Sequence, residues 1–169
     1  PRSLQVAAAR GFNLFSFANN HSQDCQSGRA FSDSEKRHGP MMTLESAKKF
    51  LQPLGAGWDG VGSNPYDVKE LTVRSGNGSK HQIAFKSVSI QTWNIPNSAS
   101  LQFSTRRAEI YRERILSEFS AIEGKLKILS IHTQDGSGPN RHADQILELA
   151  KRYGQRFIRE AGGHVVFLH

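Results

Sequence analysis

The sequence contains a single cysteine, Cys25, among its 169 residues. One cysteine excludes an internal disulfide framework and any zinc site built from several cysteines. Long apolar runs are also missing, since no stretch approaches the roughly 18 consecutive apolar residues of a membrane-spanning helix. The hydrophobic fraction of 37% is low but compatible with one core. The length therefore predicts a single domain over residues 1–169.

Acidic residues are the minority among the charged side chains. Lys and Arg number 22 against 15 Asp and Glu, so the formal net charge is 22 − 15 = +7 and the pI is about 9.9. Such an excess favours anionic partners, such as nucleic acid, phosphate esters, polyanionic polymers or lipid headgroups. The basic residues are scattered rather than grouped in a run of about five or more. Composition alone therefore does not choose among these partners.

Helical and extended patterns alternate along the chain. Helices are predicted from apolar residues at helical spacing in "SLQVAAARG", "MMTLESAKKFLQPLG", "TRRAEIYRERILSEFSAIEGK" and "PNRHADQILELAKRYGQRFIREAGG". Short strands are predicted at "FNLFSFA", "KLKILSIH" and "HVVFLH", and a hairpin around Asn77-Gly78, a pair typical of two-residue type I′ turns. The segment "TWNIPNSASLQFS" is predicted to be a loop. This order of elements predicts a layered α/β domain.

Three of the predicted strands run directly into histidines. The first leads into Asn19, Asn20 and His21, the second into His132, and the last into His169. In α/β sheets, ligands bind beyond the carboxyl ends of the strands. Imidazole and amide groups suit Zn, Mn or Fe. The pattern favours a metal site at one sheet edge, although a histidine after a strand is also an ordinary turn residue.

The stretch "ARGFNLFSFANNHSQD" resembles a signature of the CapA family of capsule and poly-γ-glutamate biosynthesis proteins, which are similar to calcineurin-like metallophosphoesterases. Further similarity lies in "TLESAKKFLQPLGAGWDGVGSN", "ELTVRSGNGSKHQIAFKSVSI", "LKILSIHTQDG" and "QILELAKRYGQRFIREAGGHVVFLH". The resemblance covers nearly the whole chain. It implies a partial α-β-β-α sandwich of the metallophosphoesterase type.

The resemblance also implies roles for individual residues. Asn20 corresponds to a metal ligand, and His21 to a catalytic residue that acts on the substrate. His132 and His169 correspond to further metal ligands. The implied cofactor is a divalent metal (Mn, Zn or Fe), with a dinuclear centre as an alternative in the complete protein.

Asn19 and Asp24 correspond to residues that orient the loop rather than bind metal. The family's opening carboxylate motif is expected upstream of Pro1, and the rest of its final histidine cluster beyond His169. We therefore expect a chain that is incomplete at both ends. Without a bridging carboxylate, we expect it to bind metal weakly and to turn over little.

The function implied by the resemblance is metal-assisted phosphoester hydrolysis, or polymer handling, in the biosynthesis or export of capsule or poly-γ-glutamate. If active, the chain is a metal-dependent phosphoesterase-like hydrolase. The implied partners are an anionic polymer or phosphoester substrate and other capsule-synthesis proteins, whereas nucleic acid is not expected. The implied location is the bacterial cell envelope or another extracytoplasmic site.

Two alternatives remain open at the level of the sequence. One is a non-catalytic module of the same fold that binds a polyanion or assists assembly. The other is a Mg²⁺-dependent restriction-type nuclease, in which Asp67 begins a hairpin and Lys86 lies on its second strand. The position where that nuclease needs its second carboxylate is Ala84, so the magnesium ion would lose a ligand.

Overall fold

A computed structural model describes residues 2–21, 38–75, 77–92, 95, 97–133 and 142–169. Its helices are α1 (Arg2–Ala9), α2 (His38–Phe50), α3 (Arg106–Ala121) and α4 (Ala143–Glu160), with a 3₁₀ turn at Gln52–Leu54. Its strands are β1 (Leu14–Ser16), β2 (Gly57–Asp59), β3 (Lys69–Arg74), β4 (Lys80–Gln91), β5 (Ser100–Gln102), β6 (Leu126–Thr133) and β7 (Val165–Leu168). The predicted mixed α/β class is confirmed.

The strands form two separate sheets. β1 and β2 pair in parallel as a small two-stranded sheet. The larger sheet has five strands in the order β3-β4-β6-β7, with β5 also paired to β4. β3 and β4 are antiparallel, whereas β5 and β6 run parallel to β4, and β7 runs parallel to β6. The carboxyl ends of β4, β6 and β7 therefore point in the same direction.

Helices α3 and α4 cover one face of the five-stranded sheet. The inward face of α4 carries residues at helical spacing, which confirms the sequence pattern: Ile146, Ala150, Tyr153, Gly154 and Phe157. Phe157 meets Phe119 of α3 edge to face, with ring centroids 4.8 Å apart, above Leu129 and Ile131 of β6. In the described ranges, no helix combines the length and apolar character needed to cross a membrane.

The small sheet lies against the opposite face. Leu14 of β1 packs with Phe85 of β4 and Ile128 of β6, whereas the next residue, Phe15, packs with Leu51 beside α2. Successive side chains of a strand point to opposite faces, so β1 contacts the large sheet on one side and helices on the other. The layers therefore follow in the order helices, small sheet, large sheet, helices.

Two local features differ from the sequence prediction. The β3–β4 hairpin forms as predicted, but the Ser75 N–H donates to the Ser79 carbonyl at 2.9 Å, so three residues close the turn rather than two. Gly78 adopts the left-handed conformation, with φ of 85°, which a three-residue hairpin loop requires at one position. The predicted loop after β4 contains β5, because parallel pairing with β4 buries Leu101 completely.

Candidate histidine site

His132 and His169 lie side by side at the carboxyl edge of the large sheet. The β6–β7 ladder continues beyond β7, since His169 N–H donates to the Ile131 carbonyl at 3.1 Å and Thr133 N–H donates to the His169 carbonyl at 2.8 Å. This register brings the Nδ1 atoms of the two imidazoles to 3.5 Å. The ring centroids are 5.2 Å apart and the planes are inclined by 59°.

Asn20 reaches the same place from the other sheet. The loop after β1 brings Asn20 Oδ1 to 2.8 Å from His132 Nε2, although the two residues are 112 positions apart. The three residues predicted as metal ligands therefore lie together. However, Asn20 contacts His132 on the ring nitrogen opposite to the one that faces His169.

Ser130 gives His169 an equivalent partner, with Ser130 Oγ 3.1 Å from His169 Nε2. Each imidazole thus has Nε2 against a protein oxygen and Nδ1 towards the other ring. The two Nδ1 atoms form a hydrogen bond when one of them carries a proton. When both Nε2–H groups donate to Asn20 and Ser130, both Nδ1 atoms are unprotonated and 3.5 Å apart. Two unprotonated imidazole nitrogens at this separation can share a cation.

His21 lies on the exposed side of this site. Its backbone N–H donates to Asn19 Oδ1 at 2.8 Å, and Asn19 Nδ2 donates to the Phe17 carbonyl at 3.3 Å. Asn19 therefore shapes the loop that presents Asn20 and His21. Asp24, the other predicted loop residue, lies outside the described residues.

The pKa of His132 lies below its ordinary value of 6.5, because burial disfavours the imidazolium and the nearby His169 and His21 add positive charge. We expect His21→Ala to raise this pKa towards 6.5 in an NMR titration of the imidazole. His142→Ala is the control, since His142 packs against Phe103, with ring centroids 4.9 Å apart. An unchanged pKa in His21→Ala would contradict the predicted proximity of the two rings.

The lowered pKa also has a consequence for stability. The folded protein holds this proton less tightly than the unfolded chain does, so His132 contributes stability above its ordinary pKa. That contribution is lost as the pH falls through the lowered folded pKa. Thermal unfolding measured between neutral and mildly acidic pH should show this loss of stability. The decrease on acidification should be smaller in His132→Asn, which lacks the titrating imidazole.

A chain of serine hydroxyls lies beneath the imidazoles. Ser130 Oγ donates to Ser16 Oγ at 3.1 Å, and Ser16 Oγ lies 2.6 Å from Ser87 Oγ, which joins the two sheets. Ser87 Oγ also accepts the Ala18 N–H at 3.2 Å. Sequence reasoning missed these residues, although Ser130 precedes His132 by two positions and so shares its face of the strand.

The neighbouring strand adds Ser89, whose Cα is the register partner of His132. Its hydroxyl is fully buried and has no hydrogen-bond partner among the described residues. Gly60 follows β2 where the chain passes close to Ser87. A Cβ at Gly60 would lie 2.4 Å from Ala18 N and 2.8 Å from Ser87 Oγ, so this approach requires glycine.

A buried ion pair is hydrogen-bonded to the backbone of Ser87 in the serine chain. Lys86 Nζ lies 2.6 Å from Asp59 Oδ2, and the exposed fractions of the two side chains are 0% and 1%. The ammonium also donates to the carbonyls of Pro65 at 2.7 Å and Asp67 at 2.8 Å. Burial raises the pKa of Asp59 and lowers that of Lys86, while their mutual attraction opposes both changes. Ser87 N–H donates to the same carboxylate oxygen at 2.7 Å, which ties the pair to the serine chain.

This pairing bears on the residues of the nuclease alternative. Lys86 contacts the backbone of Asp67, not its carboxylate. The Asp67 carboxylate accepts a hydrogen bond from Arg114 Nη2 at 2.6 Å. The carboxylate beside the Lys86 ammonium is therefore that of Asp59, on β2, outside the hairpin.

Within the described ranges, the His, Cys, Asp and Glu side chains form no group of three or more placed to hold a metal ion. The site offers the two imidazoles of His132 and His169, with amide and hydroxyl partners behind them. Comparisons with protein-family models, curated proteins and solved structures found no match.

Proposed function

We propose that this chain is a metallophosphoesterase-like domain of the CapA type that binds one divalent metal ion between His132 and His169. The observation that carries the proposal is the 3.5 Å separation of the two Nδ1 atoms. Nitrogen ligands lie about 2.0–2.1 Å from a tetrahedral zinc ion, so two of them are roughly 3.4 Å apart. The donor pair therefore fits one ion.

The partners of the other ring nitrogens support the same proposal. Metal-binding histidines usually bind a protein oxygen or water through the second nitrogen, which fixes the ring orientation. Asn20 Oδ1 and Ser130 Oγ occupy these positions for His132 and His169. In this proposal Asn20 orients a ligand instead of being one, which revises the role implied by the resemblance.

A dinuclear centre is not part of the proposal. Such a centre needs a bridging carboxylate, and the one buried carboxylate among the described residues, that of Asp59, is paired with Lys86. The layer order of helices, small sheet, large sheet and helices supports the α-β-β-α assignment.

The proposed activity is hydrolysis of a phosphoester, or handling of an anionic surface polymer that carries such groups. A bound divalent ion supplies polarisation of a phosphoryl oxygen and a lowered pKa of bound water. His21, exposed beside the site, is the group proposed to protonate the leaving oxygen. The net charge of +7 attracts a polyanion at low ionic strength.

The direct test is hydrolysis of an aryl phosphate with Mn²⁺ or Zn²⁺. We expect slow, metal-dependent turnover that His21→Ala lowers by about 10²–10⁴-fold, the usual loss of a general acid. Metal affinity should change far less than turnover in this variant, because both proposed ligands remain. Turnover that survives the combined replacement of His132 and His169 by alanine would contradict the proposed site.

A second candidate is a non-catalytic module that holds a polyanion. It is favoured by the small donor set of two imidazoles among the described residues and by the engagement of Asp59 with Lys86. Metal binding without turnover, together with salt-sensitive binding of a polyanion, would select this candidate over the hydrolase.

A further inference from the structure

A cavity of about 360 Å³ lies between helix α3 and the segments that follow β2 and precede β5. Residues of the histidine site are not among its described lining residues. Its polar wall includes two arginines and one acidic residue, beside neutral polar side chains: Arg107, Arg114, Asp67, Asn64, Asn97 and Ser98. Gly60 lies between this cavity and the histidine site. Its carbonyl accepts Ala99 N–H at 2.8 Å, and its Cα lies close to Ser87.

The two arginines differ in how their charge is compensated. Arg114 donates to the Asp67 carboxylate at 2.6 Å and to the Glu118 carboxylate at 2.7 Å. Arg107 donates to the Tyr111 hydroxyl, from Nη2 at 3.2 Å and Nε at 3.4 Å, and lies 5.6 Å from the centre of the ring. Among the described residues, no carboxylate is paired with Arg107. Within the described part of the chain, one positive charge at the cavity therefore has no counter-ion.

Arg107 contacts one ring of a stacked aromatic pair. The rings of Tyr66 and Tyr111 are stacked, with centroids 3.8 Å apart and planes within 8°. The Tyr66 hydroxyl donates to the Ser100 carbonyl at 3.0 Å, which anchors the stack to β5. A guanidinium held in one place loses less conformational entropy when a ligand binds.

The wall also contains a strained residue. Asn97 has φ of 59°, which places a non-glycine residue in the left-handed region, and its carbonyl accepts Gly62 N–H at 2.9 Å. Asparagine tolerates this conformation better than most residues, and such strain is concentrated at ligand sites. A smaller cavity of about 190 Å³ also has Tyr66, Arg107 and Tyr111 in its wall, so Arg107 borders both cavities.

We propose that this cavity binds a small oxyanion, a phosphoryl or carboxylate group, through Arg107. The guanidinium offers a planar set of N–H donors that matches both groups, and the serine and asparagine side chains offer neutral polar groups around it. A volume of about 360 Å³ admits a small phosphate ester. This site needs no metal and is independent of the proposed function.

The test is calorimetric titration with phenyl phosphate in the presence of a metal chelator. Arg107→Gln is compared with Arg106→Gln, which removes the same charge from the neighbouring exposed position of α3 without touching the cavity. We expect roughly tenfold or greater loss of affinity in Arg107→Gln, the usual effect of losing a charge-assisted hydrogen bond. Arg106→Gln should stay within about twofold of the parent, since exposed charges are screened.

Equal losses in the two variants would overturn the proposal, because they would indicate general attraction to a basic protein. Unchanged binding in Arg107→Gln would also overturn it. Benzoate replaces phenyl phosphate in a second titration, and the tighter ligand identifies the phosphoryl or the carboxylate group as the natural one. His169→Ala should leave the titration unchanged, so that failure here is distinguished from failure at the histidine site.

Discussion

Lys86→Met is expected to destabilise the protein by about 3–5 kcal/mol, the range for removing one partner of a buried ion pair. The substitution keeps the aliphatic stem but leaves the Asp59 carboxylate buried without its cation. It also removes the donor to the carbonyls of Pro65 and Asp67, which hold the segment after β2 against β4. Urea denaturation, with the slope compared between variants, measures the loss.

Two further variants separate the causes. Asp59→Asn combined with Lys86→Met removes both charges and should recover most of the loss, because a neutral amide is less costly to bury. Lys127→Met removes another buried ammonium, which donates to the Ala161 carbonyl at 3.0 Å. Lys127→Met should lower the free energy of unfolding by less than Lys86→Met does, since it leaves no buried carboxylate without its cation. A loss below about 1 kcal/mol in Lys86→Met would contradict a charged pair.

The loss of unfolding free energy in Lys86→Met, called its deficit here, should also depend on pH. Burial already raises the pKa of Asp59 above its ordinary value of 3.8, and removal of the lysine charge raises it further. The folded state of this variant then binds the Asp59 proton more tightly than the unfolded state does. The deficit should therefore be smaller at acidic pH and grow as the pH rises through the carboxyl titration.

His132→Ala and His169→Ala are expected to abolish divalent metal binding, because each removes one of the two Nδ1 donors. Asn20→Ala and Ser130→Ala should instead weaken it by about 10–100-fold, the effect typical of residues that orient a ligand. Co²⁺ absorbance and calorimetry with Zn²⁺ measure both effects. The comparison tests whether Asn20 is itself a ligand, as the resemblance implies, or orients His132.

Loss of binding in Asn20→Ala as complete as in His132→Ala would identify Asn20 as a ligand and contradict the proposed arrangement. His81→Ala is the matched control. It removes an imidazole from the exposed β3–β4 hairpin, where His81 Nε2 lies 3.3 Å from Ser75 Oγ. Unaltered binding in His169→Ala would contradict the site as a whole.

The parts of the fold that sequence anticipated are those with local causes. A period of 3.6 residues predicts the apolar face of α4. A period of 2 residues predicts the strands, including those that end at the two histidines, and turn residues predict the hairpin between β3 and β4. β5 was missed because its strand conformation depends on pairing with β4 and on burial of Leu101, not on its own residues.

The candidate site was anticipated only in part, for a related reason. The rule that ligands gather at the carboxyl ends of strands assumes one sheet, and β1 belongs to a different sheet from β6 and β7. Asn20 still meets His132, because the two sheets are packed face to face and Ser16 bonds to Ser87 between them. Which ring nitrogen it meets has no signature in the sequence.

The spacing of apolar residues and turn residues along the chain is thus enough to predict the α/β class. It also predicts which residues stand at the ends of the strands. The assignment of strands to two sheets and the pairing of Lys86 with Asp59 rather than Asp67 depend on tertiary structure. Each is a choice among partners far apart in sequence. Packing and burial determine which residues become partners, because an unpaired charge is costly to bury and much less costly to expose.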